Sequence, residues 1–138
     1  WSPDGQFLLF TSDRGGSPQI YRTSVGGGSA ERMTFEGSYN VSPRYHPDGK
    51  SFAFVQRGAG GFRIAIQEIA SRQVQVLSEG GADASPSFAP NGKLILYASE
   101  SRGRGALAVV SSDGRVKQRL TEQAGEVREP AWGVAARR

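Results

Sequence analysis

Three short triplets put an oxygen-bearing side chain between a proline and a glycine: Pro3-Asp4-Gly5, Pro47-Asp48-Gly49 and Pro90-Asn91-Gly92. Two chemistries are open to Asp4, Asp48 and Asn91. They can accept hydrogen bonds from nearby backbone N–H groups and so make a tight turn, or they can offer oxygen to calcium. Proline at the first turn position and glycine at the last favour the turn, because one fixes φ and the other tolerates a positive φ. His46 is the sole histidine, and Ser2 and Ala89 hold its place beside the other two triplets. A general base needs a partnered nucleophile, and none is positioned for His46. Gly-x-Ser-x-Gly and His-Glu-x-x-His patterns are absent, and Gly49-Lys50-Ser51 has Arg44 where a phosphate loop needs glycine. With no cysteine there is no disulfide, no thiol nucleophile and no Cys-ligated zinc. These residues predict a protein that is not an enzyme and holds no cofactor or metal.

What positions the triplets is a repeat. The aromatics Trp1, Tyr45, Phe88 and Trp132 are spaced by 44, 43 and 44 residues. Met33-Thr34, Leu77-Ser78 and Leu120-Thr121 keep that register, and Pro43, Pro86 and Pro130 each stand two residues before an aromatic. A period of roughly 40–45 residues with several short strands per copy is the signature of β-propeller blades, each a four-stranded antiparallel sheet. The expected repeats run 1–44, 45–87 and 88–131, with 132–138 a truncated repeat or tail. The chain of 138 residues is read as one all-β domain, a partial propeller whose first blade lacks its own innermost strand.

Second strands are expected at 6–11, 51–56 and 93–98, short apolar runs bounded by turn residues. Third strands follow at 19–23, 62–68 and 106–111, and more polar fourth strands at 31–34, 73–77 and 117–121. Polar residues such as Glu31, Arg32, Gln75, Lys117 and Arg119 suit an outer edge, where unpaired backbone groups otherwise invite aggregation. Composition agrees: 37% hydrophobic and 22% charged residues indicate a globular chain, while 19 glycines and 7 prolines leave little room for long helices. No apolar run approaches the roughly 18 residues of a membrane span, and the start carries no signal segment. The net charge is +4, but the basic residues are scattered, with Arg137-Arg138 the only doublet. Nucleic acid binding calls for a patch or stripe, so it is not expected.

The stretch Phe10-Thr11-Ser12-Asp13-Arg14-Gly15-Gly16-Ser17-Pro18-Gln19-Ile20-Tyr21 closely resembles the most recognisable segment of TolB propellers. Gln75-Val76-Leu77-Ser78, residues 85–92 and Glu129-Pro130-Ala131-Trp132 resemble that family too. The resemblance implies the C-terminal half of a six-bladed propeller, in the periplasm, binding the peptidoglycan-associated lipoprotein Pal, with colicins using the same surface in some bacteria. It implies a part in outer-membrane integrity and cell division, and no insertion into the membrane. A propeller gate of a prolyl-oligopeptidase-like serine peptidase also uses aromatic-x-Pro-Asp-Gly repeats and is the alternative.

Binding residues are expected in the loops that differ between repeats. These join fourth strands to the next first strands at 36–40, 80–84 and 123–128, and second to third strands at 13–17, 57–61 and 100–105. Tyr39, Arg44, Asp83 and Arg128 are the chosen partner contacts, being loop residues held by a rigid scaffold, with Tyr and Arg enriched at interface hot spots. Asp13-Arg14 reads as a loop staple first and a partner contact second. Three blades alone are expected to bind Pal weakly and to pair as a homodimer, residues 129–132 supplying the partner's missing strand.

Overall fold

Each Pro-Asp/Asn-Gly triplet makes a tight turn because its glycine takes the left-handed backbone the turn requires: φ is 73° at Gly5, 74° at Gly49 and 75° at Gly92. Asp4, Asp48 and Asn91 each accept the N–H two residues on, from Gln6, Lys50 and Lys93. The turn chemistry expected of these residues is therefore what they do. The computed structural model describes residues 1–58, 61–78, 82–101 and 104–124.

From those turns the strands run β1 (Phe7–Ser12), β2 (Gln19–Ser24), β3 (Glu31–Arg32), β4 (Asn40–Tyr45), β5 (Ser51–Gly58), β6 (Gly61–Glu68), β7 (Val74–Val76), β8 (Ala84–Phe88), β9 (Leu94–Ser101), β10 (Arg104–Ser111) and β11 (Lys117–Ala124). They form three antiparallel sheets in chain order, β1-β2-β3, β4-β5-β6-β7 and β8-β9-β10-β11. No helix occurs among the described residues. The first sheet has three strands where the others have four, and the strand it lacks is the innermost one. Counted from the aromatic, the sequence repeat is offset from the sheet, since each first strand ends on its aromatic, β4 on Tyr45 and β8 on Phe88.

The sheets stack face to face because the middle strands are apolar on both sides. On β5, Phe52 and Phe54 point to the first sheet and join Leu9, Ile20, Met33 and Ala65. Ala53 and Val55 point the other way and pack with Ile64, Leu77, Ile95, Tyr97, Ala108 and Val110. Full burial of side chains of this size stabilises by roughly 1.5–3 kcal/mol each.

The innermost strands β4 and β8 each carry a bulge at a Ser-Pro step. Ser42 and Ser85 have φ of 58° and 56°, and the pairing register shifts between Val41 and Arg44 and between Ala84 and Ser87. The first bulge releases the Ser42 N–H to donate to Thr11 Oγ1 on the neighbouring sheet, at 3.3 Å. In two places the strands outrun the sequence reading. Residues 57–61 and 100–105 were expected as loops, but β5 and β6 pair through Gly58 and Gly61, and β9 and β10 through Ser101 and Arg104. A ladder needs only backbone groups, so it continues past the last apolar residue.

Candidate interaction face

The chain's connectivity divides the loops between two ends of the sheets. At one end lie the Pro-Asp/Asn-Gly turns and the third-to-fourth turns; at the other lie the second-to-third hairpins and the crossings between sheets.

The turn end is built of self-satisfied polar motifs. Ser2 Oγ donates to Asp4 (2.6 Å) while accepting the Phe7 N–H, and Ser111 Oγ likewise donates to Asp113 (2.6 Å) while accepting the Val116 N–H. These serine hydroxyls, helped by the Gln6 and Arg115 N–H groups, hold the Asp4 and Asp113 carboxyls below their ordinary values. His46 Nε2 lies 3.0 Å from Gly92 O in the next sheet and donates to it, while Nδ1 stands 3.0 Å from both the N–H and the carboxylate of Asp48. Edge-on contact with Phe88 fixes the ring. His46 is therefore a tie between sheets. Nearby, Tyr45 closes a cleft of about 180 Å³ with Asp4, Arg22 and Asp48, and burial pushes its phenol pKa up.

The crossing end is different in kind. Tyr39 is half-buried and packs edge-on against Phe62, ring centroids 5.4 Å apart, and its carbonyl accepts the Arg57 N–H (3.1 Å). Phe62 is 36% exposed and Arg57 is exposed. On the first sheet Arg14 lies over Phe10 and Tyr21, 5.2 and 4.9 Å from the ring centroids, and donates to Ser12 Oγ (3.0 Å). That loop is stapled by Ser12 and Arg14, while exposed Asp13 contributes its main-chain carbonyl to the Gly16 N–H. Aromatic rings and arginines held on hairpin ends are the composition of an interface core.

Beneath this surface a buried amide network holds the first crossing. Thr34 Oγ1 accepts the Ile20 N–H (3.0 Å) and donates to Gln19 Oε1 (2.6 Å). Asn40 Nδ2 donates to Gln19 Oε1 (2.8 Å) and to Glu36 O (2.9 Å), and Gln19 Nε2 donates to Gly37 O (3.1 Å). Asn40 Oδ1 in turn accepts Gln56 Nε2 (3.2 Å), whose Oε1 accepts Arg63 at 2.9 Å.

The four expected contacts fare differently. Tyr39 stands on the crossing end as expected. Arg44 does not belong to that loop: it is exposed within β4 opposite Ala53, five positions along the strand from Tyr39, on the order of 15 Å away. There it lines a cleft of about 360 Å³ with Trp1, Tyr45 and Phe88. Asp83 is 1% exposed, and its two oxygens accept Ser78 Oγ (2.6 Å) and Ser99 Oγ (2.8 Å). Committed to those hydroxyls, it braces the crossing and presents no carboxylate to a partner. Arg128 lies outside the described residues, as do residues 125–138 with the proposed strand-supplying segment. Sequence reasoning missed Phe62 and Gln19, while Arg57 and Asn40 fell inside the expected loops 57–61 and 36–40 without being singled out. The signal for Asn40 was its place 43 residues before Asp83, another polar residue at the same point of the repeat.

Antiparallel sheets stacked in chain order are the blades of a β-propeller. The sequence pattern of the TolB beta propeller domain family matches residues 1–136, and the chain belongs to that family. It is 61% identical over 120 residues to the Tol-Pal system protein TolB of Nitrosospira multiformis, covering 85% of this chain and 28% of that protein. The Tol-Pal system protein TolB of Xanthomonas oryzae pv. oryzae is 51% identical over 112 residues, 80% of this chain and 26% of that one. The crystal structure of TolB from Acinetobacter baumannii superposes with a TM-score of 0.87 at 47% identity, covering 96% of this chain and 33% of that one. The chain thus spans about a quarter to a third of the length of these relatives. A prolyl endopeptidase structure matches with a TM-score of 0.68 at 15% identity over 91% of this chain and 22% of its own, a likeness of fold alone.

Proposed function

We propose that this propeller segment acts in the periplasm as a non-catalytic interaction scaffold of the Tol-Pal system, and that the whole protein binds the lipoprotein Pal through the crossing end of the blades. In this reading the face serves outer-membrane integrity and cell division, and colicins exploit it in some bacteria. The observation that carries it is the Tyr39–Phe62 pair, a large aromatic surface held rigidly beside Arg57 on the scaffold's loop end. Rigid aromatic anchors give contact area with little ordering cost on binding.

Tyr39 is the central contact. Arg44 contributes as a cation on the inner wall, and Arg128 is retained from its sequence position. Calorimetric titration of the full-length protein with Pal tests the assignment: Tyr39→Ala and Phe62→Ala each weaken binding by about 1–3 kcal/mol, and charge reversal at Arg44 or Arg128 weakens it less. Lys117→Ala, on an outer strand, leaves binding unchanged. Unchanged affinity for both aromatic variants would move the Pal site to another part of the propeller. This chain alone presents a fraction of the face and binds weakly.

A further inference from the structure

We propose that Asn40 and Gln19 form a positioning cradle that sets the conformation of residues 36–39 for partner contact, a role that rests on the reading of Tyr39 above. The first crossing carries main-chain carbonyls that no strand pairs. Asn40 Nδ2 holds Glu36 O at 2.9 Å, and Gln19 Nε2 holds Gly37 O at 3.1 Å. The two side chains are locked to each other at 2.8 Å, and both are buried, at 0% and 1% exposure. Asn40 N–H also donates to Pro18 O (2.9 Å), tying the loop to the first sheet, and the Arg57 N–H to Tyr39 O bond ties it to the second. Between those ties Gly37, with φ of 80°, supplies the freedom that the carboxamides restrict. Neither Asn40 nor Gln19 reaches the surface, so each acts through the loop, lowering the ordering cost that Tyr39 otherwise bears on binding.

The second crossing shows that stability alone does not require amides. The positions of Gln19 and Asn40 are filled there by Arg63 and Asp83, and the crossing is closed by hydroxyls on Asp83. An aspartate at position 40 has no N–H to offer Glu36 O or Gln19 Oε1, while an arginine at position 19 compensates its charge.

The test measures Pal affinity by calorimetry and thermal stability by unfolding for the full-length protein, Tyr39→Ala, Asn40→Ala, and the double variant Gln19→Arg with Asn40→Asp. The expected result is Pal binding weakened about tenfold in Asn40→Ala, with amide exchange quickened at residues 37–39. The double variant recovers the melting temperature lost in Asn40→Ala yet still binds weakly, a split that a purely structural role does not produce. If Tyr39→Ala weakens binding while Asn40→Ala and the double variant bind as the parent does, the cradle is overturned alone. If Tyr39→Ala binds unchanged, the parent reading falls and the cradle's role in binding falls with it. Should Asn40→Ala fail to fold, the double variant decides: parental affinity overturns the proposal, and weak binding at parental stability supports it.

Discussion

The chain contains the same joint twice, once between the first and second sheets and once between the second and third, and the two are closed by different chemistry. In both, a hydroxyl at the end of the outermost strand accepts an N–H from the third strand: Thr34 from Ile20 and Ser78 from Ile64. What that hydroxyl donates to differs. Thr34 meets the neutral amide of Gln19, and Ser78 meets the carboxylate of Asp83. The interior differs too, with Phe52, Phe54 and Met33 in the first joint and mainly branched aliphatics with Tyr97 in the second. Gln67 donates to Met33 O (2.6 Å) across the first joint, and the equivalent position in the third sheet is apolar Val110, fully buried in the second joint's core. The backbone geometry is thus held by one invariant hydroxyl and a bulge, while the neighbouring side chains change together.

The largest effect comes from emptying the interiors. Phe54→Ala in the first joint costs about 3–5 kcal/mol, and Leu77→Ala in the second about 2–5 kcal/mol. Urea unfolding measures both. If the joints are independent, the double variant sums the two losses within about 0.5 kcal/mol; a larger deviation shows that the stacked sheets unfold as one coupled core through β5.

The polar closures come next. Asp83→Ala strands two buried serine hydroxyls that now donate to a carboxylate and costs about 2–3 kcal/mol. Asn40→Ala removes neutral bonds and costs about 1–2 kcal/mol. Asp83→Asn keeps an acceptor oxygen and costs less than Asp83→Ala. Equal losses for Asp83→Ala and Asn40→Ala in chemical denaturation would erase the distinction between a charged and a neutral closure.

A third contrast lies at the turn end, where only the second joint has a histidine bridge. A Cβ added at Gly92 lands 2.3 Å from the His46 ring, on a backbone with φ of 75°. Gly92→Ala therefore destabilises by about 1–3 kcal/mol. Gly5→Ala shares the positive φ, but its Cβ meets nothing within 4 Å, so it costs less. The difference between the two melting curves isolates the bridge from the turn.

Much of this architecture was legible in the sequence. The aromatic spacing gave three sheets, the turn triplets gave their hairpins, and the apolar runs placed β1, β5 and β9 to within a few residues at their starts. The innermost strands were harder, because the Ser-Pro bulge in β4 and β8 breaks the alternation that marks a strand. The candidate face was legible only where a residue type announces itself, as Tyr39 does. Asp83 looked like a loop carboxylate because sequence shows polarity and not burial, and its partners are Ser78, just past the end of β7, and Ser99 on β9. Arg44 was assigned to a loop because nothing local reveals that the first strand runs five residues past Asn40.

The smallest contrast is electrostatic and confined to the outer rim. Across the first joint Glu31 accepts from Arg22 of its own sheet (3.0 Å) and Arg72 of the next (2.8 Å), and Arg72 also lies 5.3 Å from the centroid of the exposed Phe35 ring. The equivalent of Glu31 in the second sheet is Gln75, which bridges to Asp113 O at 2.9 Å without charge. Hydrogen bonding from Arg22, followed by its charge and by Arg72, holds the Glu31 carboxyl below its ordinary value of 4.5, against the opposing effect of burial. A carboxyl depressed by folding contributes stability that is fully present above that ordinary value and is lost as pH falls through the folded one. Because the pair is largely exposed, the contribution is at most about 1 kcal/mol and weakens with salt. Glu31→Gln therefore unfolds at lower urea than the parent at pH 7 in low salt, and the gap narrows as pH falls below the ordinary carboxyl value or as salt is added. Asp4 and Asp113 titrate in the same range, so the gap between parent and variant is read rather than either curve alone. Gln75→Ala, the neutral counterpart, shows a gap that does not change with pH. A Glu31→Gln gap equally constant from pH 7 to pH 3 would mean that the two rims are held by the same uncharged contacts after all.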